Sequence, residues 1–207
     1  MIHEETRAVQ RVVLAELSRF GRIARGRRCS AEPIKLGTHV KDAAMNIDDE
    51  GFMREAYRIA IENGSDPSLS PIGCVIVRNG KVLAARRNKV AEHHDAVAHA
   101  EIEAIRAAGS SFQNGPLRYA TLYTTLQPCG MCTMASIWSK VGRIVFGAGR
   151  EDVHKMYFEA RHVDTLDFVA QAYRDDLVIE GGILRDECAA LYYRPWDNVA
   201  LGDQGNL

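Results

Sequence analysis

No stretch of the chain approaches the run of about eighteen apolar residues that a membrane-spanning helix needs, and none of its first twenty residues forms the apolar core of a secretory signal. A dominant charge is also missing. The 26 Lys and Arg residues nearly cancel the 27 Asp and Glu residues, leaving a formal net charge of -1, so the total selects neither acidic nor basic partners. Five cysteines are an odd number without a pairing pattern, which argues against a disulfide framework and for reduced thiols in a cytoplasmic protein. Cys74 and Cys188 read as core packing, and no pairing is assigned to Cys29. The 46% hydrophobic and 26% charged fractions are ordinary for a globular chain. A length of 207 residues suits one domain with appendages.

What is present is concentrated in two short stretches, His99-Ala100-Glu101 and Pro128-Cys129-Gly130-Met131-Cys132. Two cysteines at CxxC spacing and one histidine make three ligands, the number a catalytic zinc site uses when its fourth position is kept for water. A CxxC alone also fits a redox pair or half of a structural zinc site. Glu101 changes that balance, because its spacing from His99 lets a carboxylate approach a metal-bound water without ligating the metal. The flanking sequence predicts suitable local structure. Ala98 to Ala108 reads as a helix ended by Gly109, with His99 and Glu101 in its first turn. Pro128 opens a second helix whose buried face is marked by Met131, Ala135 and Trp138. Cys129 and Cys132 then lie near a helix N-terminus, which favours thiolates.

His99-Ala100-Glu101-Ile102-Glu103-Ala104-Ile105-Arg106 and Thr124-Thr125-Leu126-Gln127-Pro128-Cys129-Gly130-Met131-Cys132 resemble the cytidine deaminase-like superfamily, whose signature is H-x-E followed by P-C-x-x-C. Within it, they resemble the branch of bacterial tRNA adenosine deaminases and bacterial-type guanine deaminases. The resemblance runs from about residue 50 to about residue 194, three quarters of the chain. It implies one zinc per chain held by His99, Cys129 and Cys132, with Glu101 moving protons during hydrolytic release of ammonia. It further implies that Asn88 and the backbone N–H of Ala100 orient the substrate. Asp152 falls on an acidic position near the guanine deaminase pocket. A homodimer is implied as well. Gln127 departs from the branch, which has Glu there, and is expected to alter a neighbouring hydrogen bond or the substrate range.

Residues 1–48 read as an N-terminal extension: an amphipathic helix over 1–20, then an Arg-, Gly-, Ser- and Pro-rich linker over 21–40. Met45 or Met53 is an alternative start. The deaminase domain spans 49–207 and opens with a helix from Asp49 to Asn63. Strands are expected at Ile72–Arg78 and Lys81–Ala85, joined by the hairpin dipeptide Asn79-Gly80. Others follow at Tyr119–Thr125, Arg143–Ala148 and Leu177–Glu180, and Ile183–Tyr193 resembles the family's last helix. Strands alternating with helices indicate an α/β fold, a three-layer α/β/α sandwich, and the resemblance gives it a central mixed five-stranded sheet. His93 and His94 read as loop residues. His154, Tyr157, Phe158 and Glu159 are candidates for a substrate wall or for core, and Trp196 for capping a pocket or, favoured, for packing.

Charge distribution carries the substrate argument. Met1 to Ser30 holds seven arginines and three glutamates, whereas Glu151 to Leu207 holds twelve acidic and five basic residues. An acidic C-terminal part repels phosphate backbones. The expected substrate is therefore a free nucleobase, nucleoside or related amino-heterocycle, with guanine the leading candidate. The cluster Arg86, Arg87 and Lys89 and the basic N-terminal arm keep adenosine in tRNA as the alternative. A catalytically silent binding module is the third reading, and Glu101 speaks against it.

Overall fold

The computed structural model describes residues 48–62, 64–111, 117–158, 164–171 and 176–200, which all fall within a compact unit, Met45–Leu207. The helix and linker expected over 1–40 and Cys29 lie outside the described residues. The first element, α1 (Asp49–Ala60), is capped by Asp48, whose carboxylate accepts from Gly51 N at 2.8 Å. Met53, Ala56, Ile59 and Ala60 form its buried stripe. It stops three residues earlier than the sequence suggested, and Gly64 follows with φ 101°.

Strands β1 (Gly73–Arg78) and β2 (Lys81–Arg87) form the expected hairpin, with both turn residues at positive φ, Asn79 at 52° and Gly80 at 72°. After the one-turn helix α2 (Val90–His93) comes α3 (Ala100–Ser111). This helix runs through Gly109, which does not end it. A Cβ at Gly109 would meet nothing within 4 Å, so the position is merely open. Strand β3 (Thr121–Leu126) starts later than expected, because Tyr119 sits in a turn at φ 63° with its ring 82% exposed. The order continues with α4 (Gly130–Trp138), β4 (Arg143–Ala148), α5 (Thr165–Ala170), β5 (Val178–Gly181) and α6 (Arg185–Ala189). Helix α6 is shorter than the Ile183–Tyr193 expectation, because Leu184 before it takes φ 54°.

The strands form one sheet in the order β2-β1-β3-β4-β5. β1 pairs antiparallel with both β2 and β3, while β3–β4 and β4–β5 are parallel. The mixed five-stranded sheet with helical layers is thus as expected. Strand periodicity divides its side chains between two cores. Val75, Val77, Tyr123 and Val145 pack with α1, Cys188, Leu191 and Tyr192, while Cys74, Ile76, Leu122 and Ile144 pack with α3, Ile137 and Val169. Both faces are covered at the centre of the sheet, so β1 and β4 read as nearly continuous apolar runs.

Register brings the site together. Gly73 lies opposite Arg87, Cys74 opposite Thr124, and Leu126 opposite Ala148. The start of β1 and the ends of β2, β3 and β4 therefore share one end of the sheet; Asn88 follows β2, Cys129 and Cys132 follow β3, Asp152 follows β4, and His99, Ala100 and Glu101 lie at the start of α3. Among the described residues, no helix is long and apolar enough to cross a membrane.

Gly73 fixes the approach of α1 to the sheet. A Cβ there would lie 2.0 Å from Ala56 O and 2.7 Å from Ala60 N, which are backbone atoms that cannot swing away. Gly73→Ala is expected to destabilise the fold by about 3 kcal/mol, read as a shifted denaturation midpoint. An unchanged midpoint would show that α1 is free to lift.

Candidate active site

Two helix N-termini supply the chemistry. His99 immediately precedes α3 and its carbonyl accepts the bond from Glu103 N at 2.9 Å. Cys129 is the N-cap of α4, and its carbonyl accepts from Thr133 N at 2.9 Å. Cys132 lies one turn on. His99 Nδ1 is 3.7 Å from Cys129 Sγ and 3.6 Å from Cys132 Sγ, and the three ligand atoms all lie within 4.8 Å of one another. Two thiols and an imidazole converging at this separation fit a zinc ion, with Zn–S of about 2.3 Å and Zn–N of about 2.0 Å.

Glu101, the second residue of α3, is 4% exposed, and its Oε2 has no hydrogen-bond partner among the described residues. A buried carboxylate oxygen left unpartnered needs a ligand-side group to satisfy it, and that makes a second fit to a metal-plus-water centre. Burial raises the Glu101 pKa, the negative charge of Cys129 adds to the rise, and His99 opposes it. The hydrogen bond from Cys132 takes Cys129 down to about 4, with His99 also helping, and the same bond and burial push Cys132 up. Cys129 is thus ready as a thiolate ligand.

Asn88 follows β2 at the same end of the sheet. Its Nδ2 donates to Ser70 O at 3.2 Å and its backbone N to Ile72 O at 2.8 Å. It lines a cavity of about 270 Å³ with Ser70, Pro71, Ile72, Arg87 and Glu92. Ala100, whose backbone N–H is the other expected substrate contact, opens α3 and is fully buried.

Asp152 is engaged elsewhere. Its carboxylate accepts from Arg185 at 2.7–3.0 Å and from Gly149 N at 2.8 Å. The Arg185 and Gly149 bonds lower its pKa against the opposing effect of burial. It lines a second cavity with Arg194 and Trp196, not the cavity of Asn88. Trp196 is 75% exposed there with Arg194 over its ring, so the packing expected for it is not found.

Gln127 is a residue whose role the motif alone did not disclose. It is 4% exposed, donating from Nε2 to Thr165 Oγ1 at 3.0 Å and accepting from Arg150 N at 3.2 Å. One amide therefore ties the cysteine segment to the loop after β4 and to α5. The buried His154 accepts from Met156 N at 3.2 Å through Nδ1, and Tyr157 and Phe158 are buried, whereas Glu159 lies outside the described residues. His93, read as a loop residue, ends the one-turn helix α2, and His94 follows it at φ 51°; both are exposed.

The face of α4 was misread from the sequence. Cys132, Thr133, Ser136 and Ile137 are its buried residues, and Trp138 is 75% exposed. The helix must turn Cys132 toward His99, and that rotation carries Trp138 outward.

Comparison with known proteins agrees with this geometry. Residues 46–148 match the family of the cytidine and deoxycytidylate deaminase zinc-binding region. The tRNA-specific adenosine deaminase of Buchnera aphidicola subsp. Schizaphis graminum is 38% identical over 146 residues, covering 69% of this chain and 90% of the relative. A structure solved in a study of A-to-I editing by tRNA:A34 deaminases at the wobble position of transfer RNA has a TM-score of 0.57 and 30% identity, covering 68% of this chain and 98% of that one. The guanine deaminase of Nitrosomonas europaea has a TM-score of 0.60 over 80% of this chain and 96% of its own, at 24% identity, a likeness of fold alone.

Cys132→Ala is expected to reduce bound zinc to a small fraction of that in the unaltered protein, measured by metal analysis. Chelation should lower the melting temperature and added zinc should restore it, since a ligand that binds only the folded state stabilises it. Full zinc occupancy in Cys132→Ala would remove that residue from the ligand set.

Proposed function

The chain belongs to the cytidine deaminase-like superfamily and is a zinc-dependent hydrolytic deaminase; from that premise we propose that it deaminates adenosine to inosine in a tRNA anticodon loop, acting in the cytoplasm where its thiols stay reduced. The observation that carries this reading is the 38% identity over 90% of a tRNA-specific adenosine deaminase. Guanine loses its leading place because the guanine deaminase likeness is one of fold and because Asp152, the residue that pointed to it, is held by Arg185.

The charge argument against RNA weakens in three dimensions. Arg185 pairs with Glu151 and Asp152, Arg143 with Glu180, and Arg54 approaches Glu187 at 3.9 Å. Two of these arginines, Arg54 and Arg143, come from outside the acidic C-terminal part, so a count along the chain overstates the negative surface there.

His99, Cys129 and Cys132 would hold the zinc. When bound, it supplies a Lewis acid that lowers the pKa of a coordinated water toward neutrality. Glu101 Oε2 accepts the proton of the attacking water and delivers it to a ring nitrogen, and a second transfer lets ammonia leave. The carbon that carried the amino group gains the water oxygen, and Glu101 ends as it began. Burial keeps its proton affinity high enough to serve in both directions. Asn88 has committed one N–H to Ser70 O, so its amide offers Oδ1 and a second N–H to the base, and the Ala100 N–H adds a donor at the start of α3.

We also propose a homodimer through the outer face of α4. Met131, Met134, Ala135 and Trp138 are spaced i, i+3, i+4, i+7 and are only half-buried or exposed, an apolar stripe that a second copy would cover. Trp138→Glu should convert a dimer to monomers in sedimentation at micromolar concentration. A monomeric unaltered protein would overturn the proposal.

The decisive assay is inosine formation by the zinc-loaded protein on an anticodon stem-loop RNA, with guanine and free adenosine alongside. Turnover of the RNA, reduced roughly 10³-fold in Glu101→Ala, is the expected result. Ammonia from guanine with the RNA untouched would make this a nucleobase enzyme, and silence throughout would favour a binding module.

A further inference from the structure

The loop between α1 and β1, which forms one wall of the Asn88 cavity, is held by two tyrosines that come from far along the chain. Its Pro67–Leu69 turn leads to Ser70 at φ 50°, in the left-handed region, and Ile72 N donates back to Ser70 O at 2.7 Å. A non-glycine residue in that conformation is held by its surroundings. The same Ser70 carbonyl accepts from Asn88 Nδ2. Loop geometry and the orientation of Asn88 are therefore one variable.

Tyr157 Oη donates to Pro67 O at 2.9 Å and accepts from Tyr193 N at 3.0 Å. Tyr193 O in turn accepts from His154 N at 2.7 Å, so Tyr157 is braced against the C-terminal segment. Tyr192 Oη lies 2.7 Å from Thr125 Oγ1 and 3.4 Å from Pro71 O. Thr125 Oγ1 already accepts from Gly73 N at 3.1 Å. One direction satisfies every group: Gly73 N–H to Thr125, the Thr125 hydroxyl to Tyr192, and the Tyr192 hydroxyl to Pro71 O. The two rings meet edge to face at 5.2 Å. Burial keeps both phenols protonated, Tyr157 raised to about 12 and Tyr192 further, so each remains a donor.

We infer that Tyr157 and Tyr192 are positioning residues for substrate recognition: their hydroxyls hold Pro67 O and Pro71 O on either side of Ser70, and the loop holds Asn88 through Ser70. The inference rests on the recognition role proposed for Asn88. It assigns to the C-terminal segment a function beyond closing the core, since the residues after α6 set the geometry of a wall that begins before β1.

Tyr157→Phe, Tyr192→Phe and the double variant keep the rings and remove only the hydroxyls. Backbone amide exchange of the zinc-loaded protein should quicken at Leu69, Ser70, Ile72 and Asn88 by roughly tenfold, the loss expected from one buried hydrogen bond. Exchange at Ile144 and Val145 in β4 and zinc content should stay as they were. On the anticodon stem-loop RNA, KM should rise about fivefold to tenfold with kcat within about twofold. Combination with Asn88→Ala should be less than additive, because both changes act through one amide. Unchanged loop exchange, exchange that quickens equally in β4, or full additivity with Asn88→Ala would overturn the inference. Failure of the functional reading is seen separately, as an unaltered protein that makes no inosine or an Asn88→Ala variant with unchanged KM.

Discussion

The convergence of His99, Cys129 and Cys132 within 4.8 Å is the constraint on which the arrangement of helices depends. Two of the three sit at the starts of helices that flank one sheet face, and the third is one turn into α4. Meeting at a point fixes both the insertion and the rotation of α3 and α4. Helix N-termini present free N–H groups and a positive end of the dipole, so the same geometry that gathers the ligands also favours the thiolate. Glu101 is buried by the same packing. Its unpartnered oxygen is unfavourable in the protein alone and useful to a hydrolytic site, which is a local violation of packing logic at the place where chemistry is required.

Much of the fold was legible because its signals are local. Asn79-Gly80 dictated a turn that only residues tolerant of positive φ can make, and the structure has both there. The cluster of His99, Cys129 and Cys132 was legible because metal coordination demands particular residue types at particular spacings. The misread elements depended on distant partners. Nothing within α4 says that Cys132 must face His99, so apolar spacing alone put Trp138 inside. Gly109 looked like a stop because glycine often ends helices, yet open space around it lets α3 continue. Tyr119 was read as the first strand residue, but the chain turns there through a left-handed conformation before pairing begins.

Charge was the least legible property. The acidic residues after Glu151 looked like a field that would reject RNA, but a sequence count treats every carboxylate as free. Arg143 bridges Asp49, at the start of α1, and Glu180, in β5, from its place in β4. That ion pair draws the Asp49 pKa down, chiefly through the guanidinium hydrogen bond. Arg185 absorbs two more carboxylates. Conversely, Arg87 and Lys89, which looked like cations flanking Asn88, both pair with Glu92. Pairing across elements removes much of the asymmetry on which the small-molecule reading was built.

Gln127 shows what a neutral amide does beside the candidate site. The position lies beside Pro128-Cys129 and is buried, so a carboxylate there would add negative charge near two thiol ligands and Glu101. The amide avoids that charge. It donates to Thr165 and accepts from Arg150 N, and each bond uses the end of the group suited to it. The amide makes a mechanical link between the cysteine segment, the loop after β4 and α5 while leaving the local charge to His99, Cys129, Cys132 and Glu101, the groups that the proposed chemistry uses.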